Sequence, residues 1–511
     1  PVVYILHSCG PGEFVRVPTP AWPEGNLGPA LAFDPDGAAL LVLAYTDKAS
    51  RTDYGPLWSR LGAGECFGEG FRECMSISPD AYNVVLLGDG SLKAKTFDWI
   101  GPPGTPENPQ PWDCPQNWEG QTRPPRHGDR VRIGGANVLL DDGAGTPEIP
   151  AQVWSIALHE GANLSLQGGE QPAGLELAGS LITRPNSTAS TLTLNPGSAL
   201  TLPGAGARLS DIDVVMPDSE MRKTRLEVGG IIERVSRLAV GTNCSITAGT
   251  IRSVCTGTSD LLNGDLAAGF ISDSELVLGP DAVVTATVIH HSTIDATVGT
   301  LGTPENPSVL LGCPPYSAPE WPPVFIGPTA AATFSSLSSS RVKVQGATVN
   351  GVPAVSSSSL ELTDGASMAT GEIGNSTLSV NSMSQLTAAA SIRNSSFALS
   401  SRGSLSAPAG IRDEEPQPDE VCSCVPCTID HATLTAGPVQ IRRDWFLAGL
   451  ASQAEWTADI GPLKAVAESG VTLQLSGGAK LRIQASSSQP EYLFPDLAAQ
   501  SAPNRLLYGA G

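Results

Sequence analysis

The sequence predicts an all-β chain built around a parallel β-helix, a three-sided solenoid preceded by a small N-terminal β domain. Three observations carry that prediction. An internal repeat of 18–19 residues runs through 342–411. Short apolar alternations of period two fill 129–411 with no helix-length segment between them. Gly (55) and Pro (43) are plentiful, while charged residues are only 16%, well below the roughly 25% of ordinary globular domains.

The repeat is countable. Val342, Leu360, Leu378 and Phe397 follow one another at steps of 18, 18 and 19. Val349, Met368, Leu386 and Leu405 form a second column at steps of 19, 18 and 19. Val355, Ile373, Ile392 and Ile411 form a third at 18, 19 and 19. Three apolar columns in phase require a coil with one short strand per side, each turn stacking on the next. Antiparallel hairpins would not keep three columns in phase. The sides are about six residues long (Val380, Leu386, Ile392), as in left-handed coils of hexapeptides. The small residue such coils repeat beside each apolar position is not apparent here, and the earlier turns are irregular. A right-handed coil is therefore favoured, with the hand left open, and perhaps 15 turns are expected.

The elements follow in order. Residues 1–95 read as a small β-rich domain, with strand-like runs at 30–33, 39–45 and 84–87. Residues 96–128 are a Pro-rich neck or cap, and 129–411 are the parallel β-helix. Residues 412–430 are an acidic, Cys-rich inserted loop, 431–485 the final coils or a cap, and 486–511 an extended tail. The outward positions of the coil are mostly Ser, Thr, Ala and Asn.

Composition excludes several function classes. A net charge of −21 argues against a nucleic-acid partner, since phosphate contact needs a basic face. Hydrophobic residues at 41% with few charges are not the profile of a disordered chain. The longest apolar stretch, 38–45, is strand length, so no membrane span is expected. The sequence opens with Pro1 and stops at Gly511, which fits removal of a signal peptide or a segment of something longer.

The ten cysteines are even in number and sit in Gly-, Pro- and Ser-rich text. That pattern points to disulfides and an oxidising compartment. Cys66–Cys74 and Cys244–Cys255 are the expected local bridges, with Cys422, Cys424 and Cys427 in a loop staple. Sequons for N-glycosylation occur at Asn163, Asn186, Asn243, Asn375 and Asn394, the last two at equivalent positions of successive turns.

Chemistry-bearing clusters are few. His291 and Asp295 form the imidazole–carboxylate pair that alternation can bring to one face. They are the candidates for catalysis if there is any. No set of Asp, Arg, Lys or His on adjacent turns can be assembled from the sequence, as a polysaccharide lyase or hydrolase on such a coil needs. No metal site is expected, and no cofactor beyond loose calcium binding by acidic loops such as 413–420.

At the start of the coil stands Trp112-Asp-Cys-Pro-Gln-Asn-Trp118, then Pro124-Pro125, then Gly128-Asp129-Arg-Val131-Arg-Ile133. This phrase resembles the opener of extracellular β-helix proteins, including G8-domain proteins, the amnionless-type receptor ectodomain and bacterial surface adhesins. It spans about 30 residues. Residues 299–307 are similar to G8-type text as well, but lie far downstream of its usual place. The resemblance implies an extracellular β-helix. In it Trp112 and Trp118 would cap the apolar column, and Gly128-Asp129 would turn the chain into the first strand.

The reading is an extracellular or cell-surface structural or adhesive solenoid, a building block of a filament, coat or matrix, and not an enzyme. Its expected partners are copies of itself or other surface proteins, with glycans as a further class. The rivals are a carbohydrate-active or carbohydrate-binding β-helix protein and a receptor ectodomain.

Overall fold

The computed structural model describes 2–6, 39–45, 84–88 and, with gaps, 96–483, together with 505–508 and short pieces at 57, 67–69 and 71–72. Within 96–483 the described segments are 96–120, 123–126, 129–141, 151–167, 173–183, 189–220, 222–256, 260–312, 324–413, 426–441, 443–448, 458–461, 463–465, 472–476 and 481–483. The chain is a parallel β-solenoid of about 13 turns, somewhat fewer than expected. It divides into two compact units, 1–237 with 247–249, and 238–246 with 250–511.

In the first unit, Val2–Leu6, Ala39–Tyr45 and Val84–Gly88 form their own three-stranded sheet, with one parallel and one antiparallel pairing. The coil of this unit already begins in the expected neck, where Thr96–Asp98 lies parallel to Arg130–Gly134. One inward column runs Phe97, Val131, Ile156, Leu181, Leu209 and Ile232. All six are at most 3% exposed. A second runs Val138, Leu164, Leu192 and Val214. Successive members of the first column from Val131 onward are 25, 25, 28 and 23 residues apart. No single period exists here, so the repeat cannot be counted in this half of the sequence.

In the second unit the turns are regular. Leu360 pairs in register with Leu378, and Leu378 with Phe397. Ile373 pairs with Ile392, and Ile392 with Ile411. Every one of these pairings is parallel, and every one of these side chains is at most 3% exposed. The three sides of one turn are Thr377–Val380, Gln385–Ala388 and Ile392–Arg393. The columns continue into the region expected to hold the final coils, through Leu434, Ala458 and Leu481 on one side. Arg505–Tyr508, in the expected tail, is itself a strand beside Thr472–Ser476.

The corner that leads into the first side is built from two residues. The first has a left-handed backbone: Asp273 (φ 49), His291 (46), Ser339 (48), Ser357 (48), Asn375 (50) and Asn394 (48). The second is always serine: Ser274, Ser292, Ser340, Ser358, Ser376 and Ser395. These serines form a buried ladder. Each Oγ donates to the carbonyl two residues back at 2.7–2.8 Å. The Oγ of Ser358, Ser376 and Ser395 accepts the amide of the ladder serine one turn earlier, at 3.0–3.1 Å. Ser274 and Ser292 receive the amides of Val254 and Ser274 in the same way, at 3.2 and 3.3 Å. This is the repeated small residue that the sequence pattern seemed to lack. It sits at the corner, not beside the apolar columns.

The insertion leaves the coil at Asp413 and returns at Cys427. Its foot is an ion pair, Arg443 Nη2 to Asp413 Oδ1 at 2.9 Å, with both side chains 5% exposed. Residues 414–425 lie outside the described residues.

Two measurements check this architecture by equilibrium denaturation. Leu378→Asp buries an unpaired charge in a filled column and should lose several kcal/mol, roughly 3 or more. Ser376→Ala strands the buried amide of Ser358 and should cost about 1–3 kcal/mol. Ser379→Ala, on the outward face of the same side, should stay within about 0.5 kcal/mol of the parent.

Candidate functional site

Two charged clusters sit on adjacent turns. The first was not assembled from the sequence. Asp211 (φ 58) and Arg234 (φ 52) are left-handed corner residues of consecutive turns in the first unit. Arg234 donates from Nε and Nη2 to the two Asp211 oxygens at 2.8 and 2.7 Å. Glu233 is fully buried beside them and receives Arg208 at 3.0 Å and Arg234 at 3.1 Å. Ser236 donates to Asp213 at 2.6 Å. The hydrogen bond to Asp211, working against burial, raises the Arg234 pKa. Asp211 and Glu233 are each bonded to a guanidinium, an arrangement that keeps both ionised and leaves neither poised to shuttle a proton.

The second cluster contains His291. Its ring stacks on His290 with centroids 3.8 Å apart, and its Nδ1 lies 3.6 Å from an Asp273 oxygen. The partner of His291 is thus Asp273, the corner residue one turn earlier, and not Asp295. The Asp295 carboxylate instead accepts the amide and hydroxyl of Thr297 at 3.0 and 2.7 Å, closing a local turn. Burial, then the neighbouring His291, lowers the His290 pKa. The His291–Asp273 pair occupies the kind of corner that Asp211–Arg234 occupies, and its chemistry is the same: opposite charges across one rung once the imidazole is protonated.

At the start of the coil Trp112 and Trp118 are buried, at 2% and 1% exposure. Their rings meet at 5.0 Å, and Trp118 Nε1 donates to the Trp112 carbonyl at 2.9 Å. Trp99 meets the other side of Trp118 edge-on, also at 5.0 Å. Asp129 accepts Arg123 Nη1 at 2.5 Å and the Arg126 amide at 2.9 Å, which shapes the turn into the first strand. Burial opposes the charge of Asp129, but these donors prevail and hold its pKa below the ordinary value. Gly128 lies outside the described residues.

The cysteines depart from expectation. Cys244 and Cys255 are free thiols and not a bridge. The strand Cys244–Val254 explains this, because it starts at one of these residues and ends just before the other. Disulfide geometry needs Cα atoms within about 7 Å, and an extended run of this length carries them far beyond it. Cys427, expected in the loop staple, is also a free thiol. It stacks in the inward column against Trp445, and burial pushes its pKa up to about 12. Burial, then the charge of Glu275, raises the Cys255 pKa. Cys66, Cys74, Cys422 and Cys424 lie outside the described residues.

The sequons divide by geometry. Asn375 and Asn394 are left-handed corner residues preceding ladder serines, so the fold itself asks for Asn-Ser at both places. Asn243 is an exposed left-handed residue (φ 57). The amide of Asn163 donates to Asn137 Oδ1 at 2.5 Å, one rung away. Asn186 lies outside the described residues.

Among the described residues no group of three or more His, Cys, Asp and Glu is placed to hold a metal ion. Among them, too, no helix is long and apolar enough to cross a membrane. No family model, curated protein or solved structure matches the chain.

Thiol labelling tests the cysteine assignments. In the native protein Cys427 should resist iodoacetamide at pH 8, and Cys244, Cys255 and Cys427 should all label without reductant once the chain is unfolded. Detection of a Cys244–Cys255 disulfide peptide would contradict the structure. Acid titration tests Asp129. Its depressed pKa means a stabilising contribution present above the unfolded value of about 3.9 and lost as pH falls through the lower folded value. Asp129→Asn should therefore lose stability near neutrality and show a flatter acid limb in thermal unfolding.

Proposed function

We propose that this chain is an extracellular structural or adhesive solenoid, a non-catalytic building block of a filament, coat or matrix at a surface. The observation that carries the reading is where the outward charges go. Asp98 meets Arg132, Asp211 meets Arg234, Lys343 meets Glu361, Glu372 meets Arg393 and Asp459 meets Arg482. In each pair the two partners belong to neighbouring rungs. Such half-exposed pairs add little stability, about 0–1 kcal/mol each. Their larger effect is to neutralise the wall locally, so that another wall can approach without like-charge repulsion. A catalytic face would need the reverse, carboxylates and bases aimed at a substrate and not at each other.

The resemblance of 112–133 to openers of extracellular β-helix proteins supports the surface location, and it keeps the receptor-ectodomain reading in view. The Asp211–Glu233–Arg234 cluster is what a carbohydrate-active rival would use. Its internal pairing favours the scaffold.

Sedimentation velocity and electron microscopy of protein purified from its native source test the proposal. Regular oligomers, filaments or a stable complex with other surface proteins are expected. A monomer at all concentrations that turns over an acidic or neutral polysaccharide would overturn it.

A further inference from the structure

Four arginines, Arg123, Arg126, Arg130 and Arg132, fall within ten residues of a chain whose net charge is −21. Arg123 is bound to Asp129 and Arg132 to Asp98. Arg130 differs. Its Nη1 is buried with no hydrogen-bond partner, and burial lowers its pKa. One rung away, in register with it, is Ser155, which is 1% exposed and whose hydroxyl also has no partner. A cation and a hydroxyl donor thus stand side by side with nothing to donate to. Leaving both unmet is costly, and an oxyanion would satisfy both.

The third component is Trp154, 44% exposed in a structure that buries nearly all its other large apolar groups. The Arg130 guanidinium carbon lies 6.0 Å from the centre of its ring. The indole position is set from below by Gly179. A Cβ there would come within 2.9 Å of the Trp154 carbonyl oxygen and 3.2 Å of its Nε1. The backbone is held on both sides, by Trp154 N to the Asp129 carbonyl and by Gly179 N to the Trp154 carbonyl, each at 2.6 Å. A fixed, half-exposed aromatic ring offers a stacking face to a flat ring with one apolar side.

We propose that Arg130, Ser155 and Trp154 form a binding site for an oxyanion carried on a sugar ring, that is, a carboxylated or sulfated saccharide. The anion sits between the Arg130 fork and the Ser155 hydroxyl, and the pyranose lies against Trp154. The arginine selects for the anion, since a neutral sugar leaves the guanidinium unmet. This site is independent of the scaffold reading, because it requires neither assembly nor catalysis.

The test is calorimetric titration of the full chain with three probes: a glucuronate-containing hexasaccharide, a heparin-type sulfated hexasaccharide and neutral cellohexaose. At least one acidic probe should bind at least tenfold tighter than cellohexaose, and which one does so separates carboxylate from sulfate. Arg130→Gln and Trp154→Ala should each weaken it by about 10–100-fold, the range expected for a lost charged hydrogen bond. Arg132→Gln removes the same charge from a paired arginine and should leave affinity within about twofold, which separates the site from general attraction. If Trp154→Ala does not fold by circular dichroism, Trp154→Phe and Arg130→Gln decide. Acidic probes that bind no tighter than cellohexaose, or a folded Arg130→Gln that binds like the parent, would overturn the proposal.

Discussion

A single turn of this coil cannot bury its own apolar side chains, so every turn depends on register with the next. The inward columns are the expression of that constraint. Leu360, Leu378 and Phe397 stack because three parallel strands place them at the same point of successive rungs. Each such side chain removed from water contributes about 1.5–3 kcal/mol, but only if the neighbouring rung is in place to cover it. Register must therefore be restored at every corner. The left-handed residue followed by serine does this. The buried hydroxyl satisfies the corner carbonyl behind it and the amide of the previous turn, so that the chain bends without stranding a backbone group.

The same constraint governs charge. A solenoid wall has no interior in which to hide an acid, so the charges that approach the coil are matched across one rung. Where the match is buried it also fixes topology. Asp413–Arg443 closes the foot of the insertion with both partners 5% exposed. Removing one partner of such a pair costs about 3–5 kcal/mol, because the other is left buried and unpaired. Cys427 lies just past this foot as a packing residue, its thiol held protonated by burial. Arg130 is the departure from the pattern, a partly buried cation with no acid beside it.

The second unit was legible in the sequence because its turns repeat at 18–19 residues, which brings the apolar positions into countable phase. The first unit was legible only in texture. Its turns of 23–28 residues put Asp211 and Arg234 in no common period, so their meeting could not be foreseen. Ser340, Ser358, Ser376 and Ser395 did stand at the repeat spacing, yet read as part of a polar outward surface. Only the left-handed residue before each of them turns that serine inward. Alternation placed His291 and Asp295 on one face, but the corner at His291 (φ 46) breaks the alternation and hands His291 to Asp273. Cys244 and Cys255 looked local because sequence distance was short. An extended strand makes eleven residues a long way in space.

The parallel, in-register stacking of turns is the claim on which all of this rests. Photo-crosslinking tests it without a crystal. Ala398 is an exposed outward residue whose register partners are Ser379 on one rung and Thr428 on the other. With p-benzoylphenylalanine at Ala398, mass spectrometry of the native protein should find crosslinks to Thr377–Val380 and Cys427–Asp430. Crosslinks confined to the chain-adjacent strands Gln385–Ala388 and Ser404–Ala407, as antiparallel hairpins would give, would contradict the account.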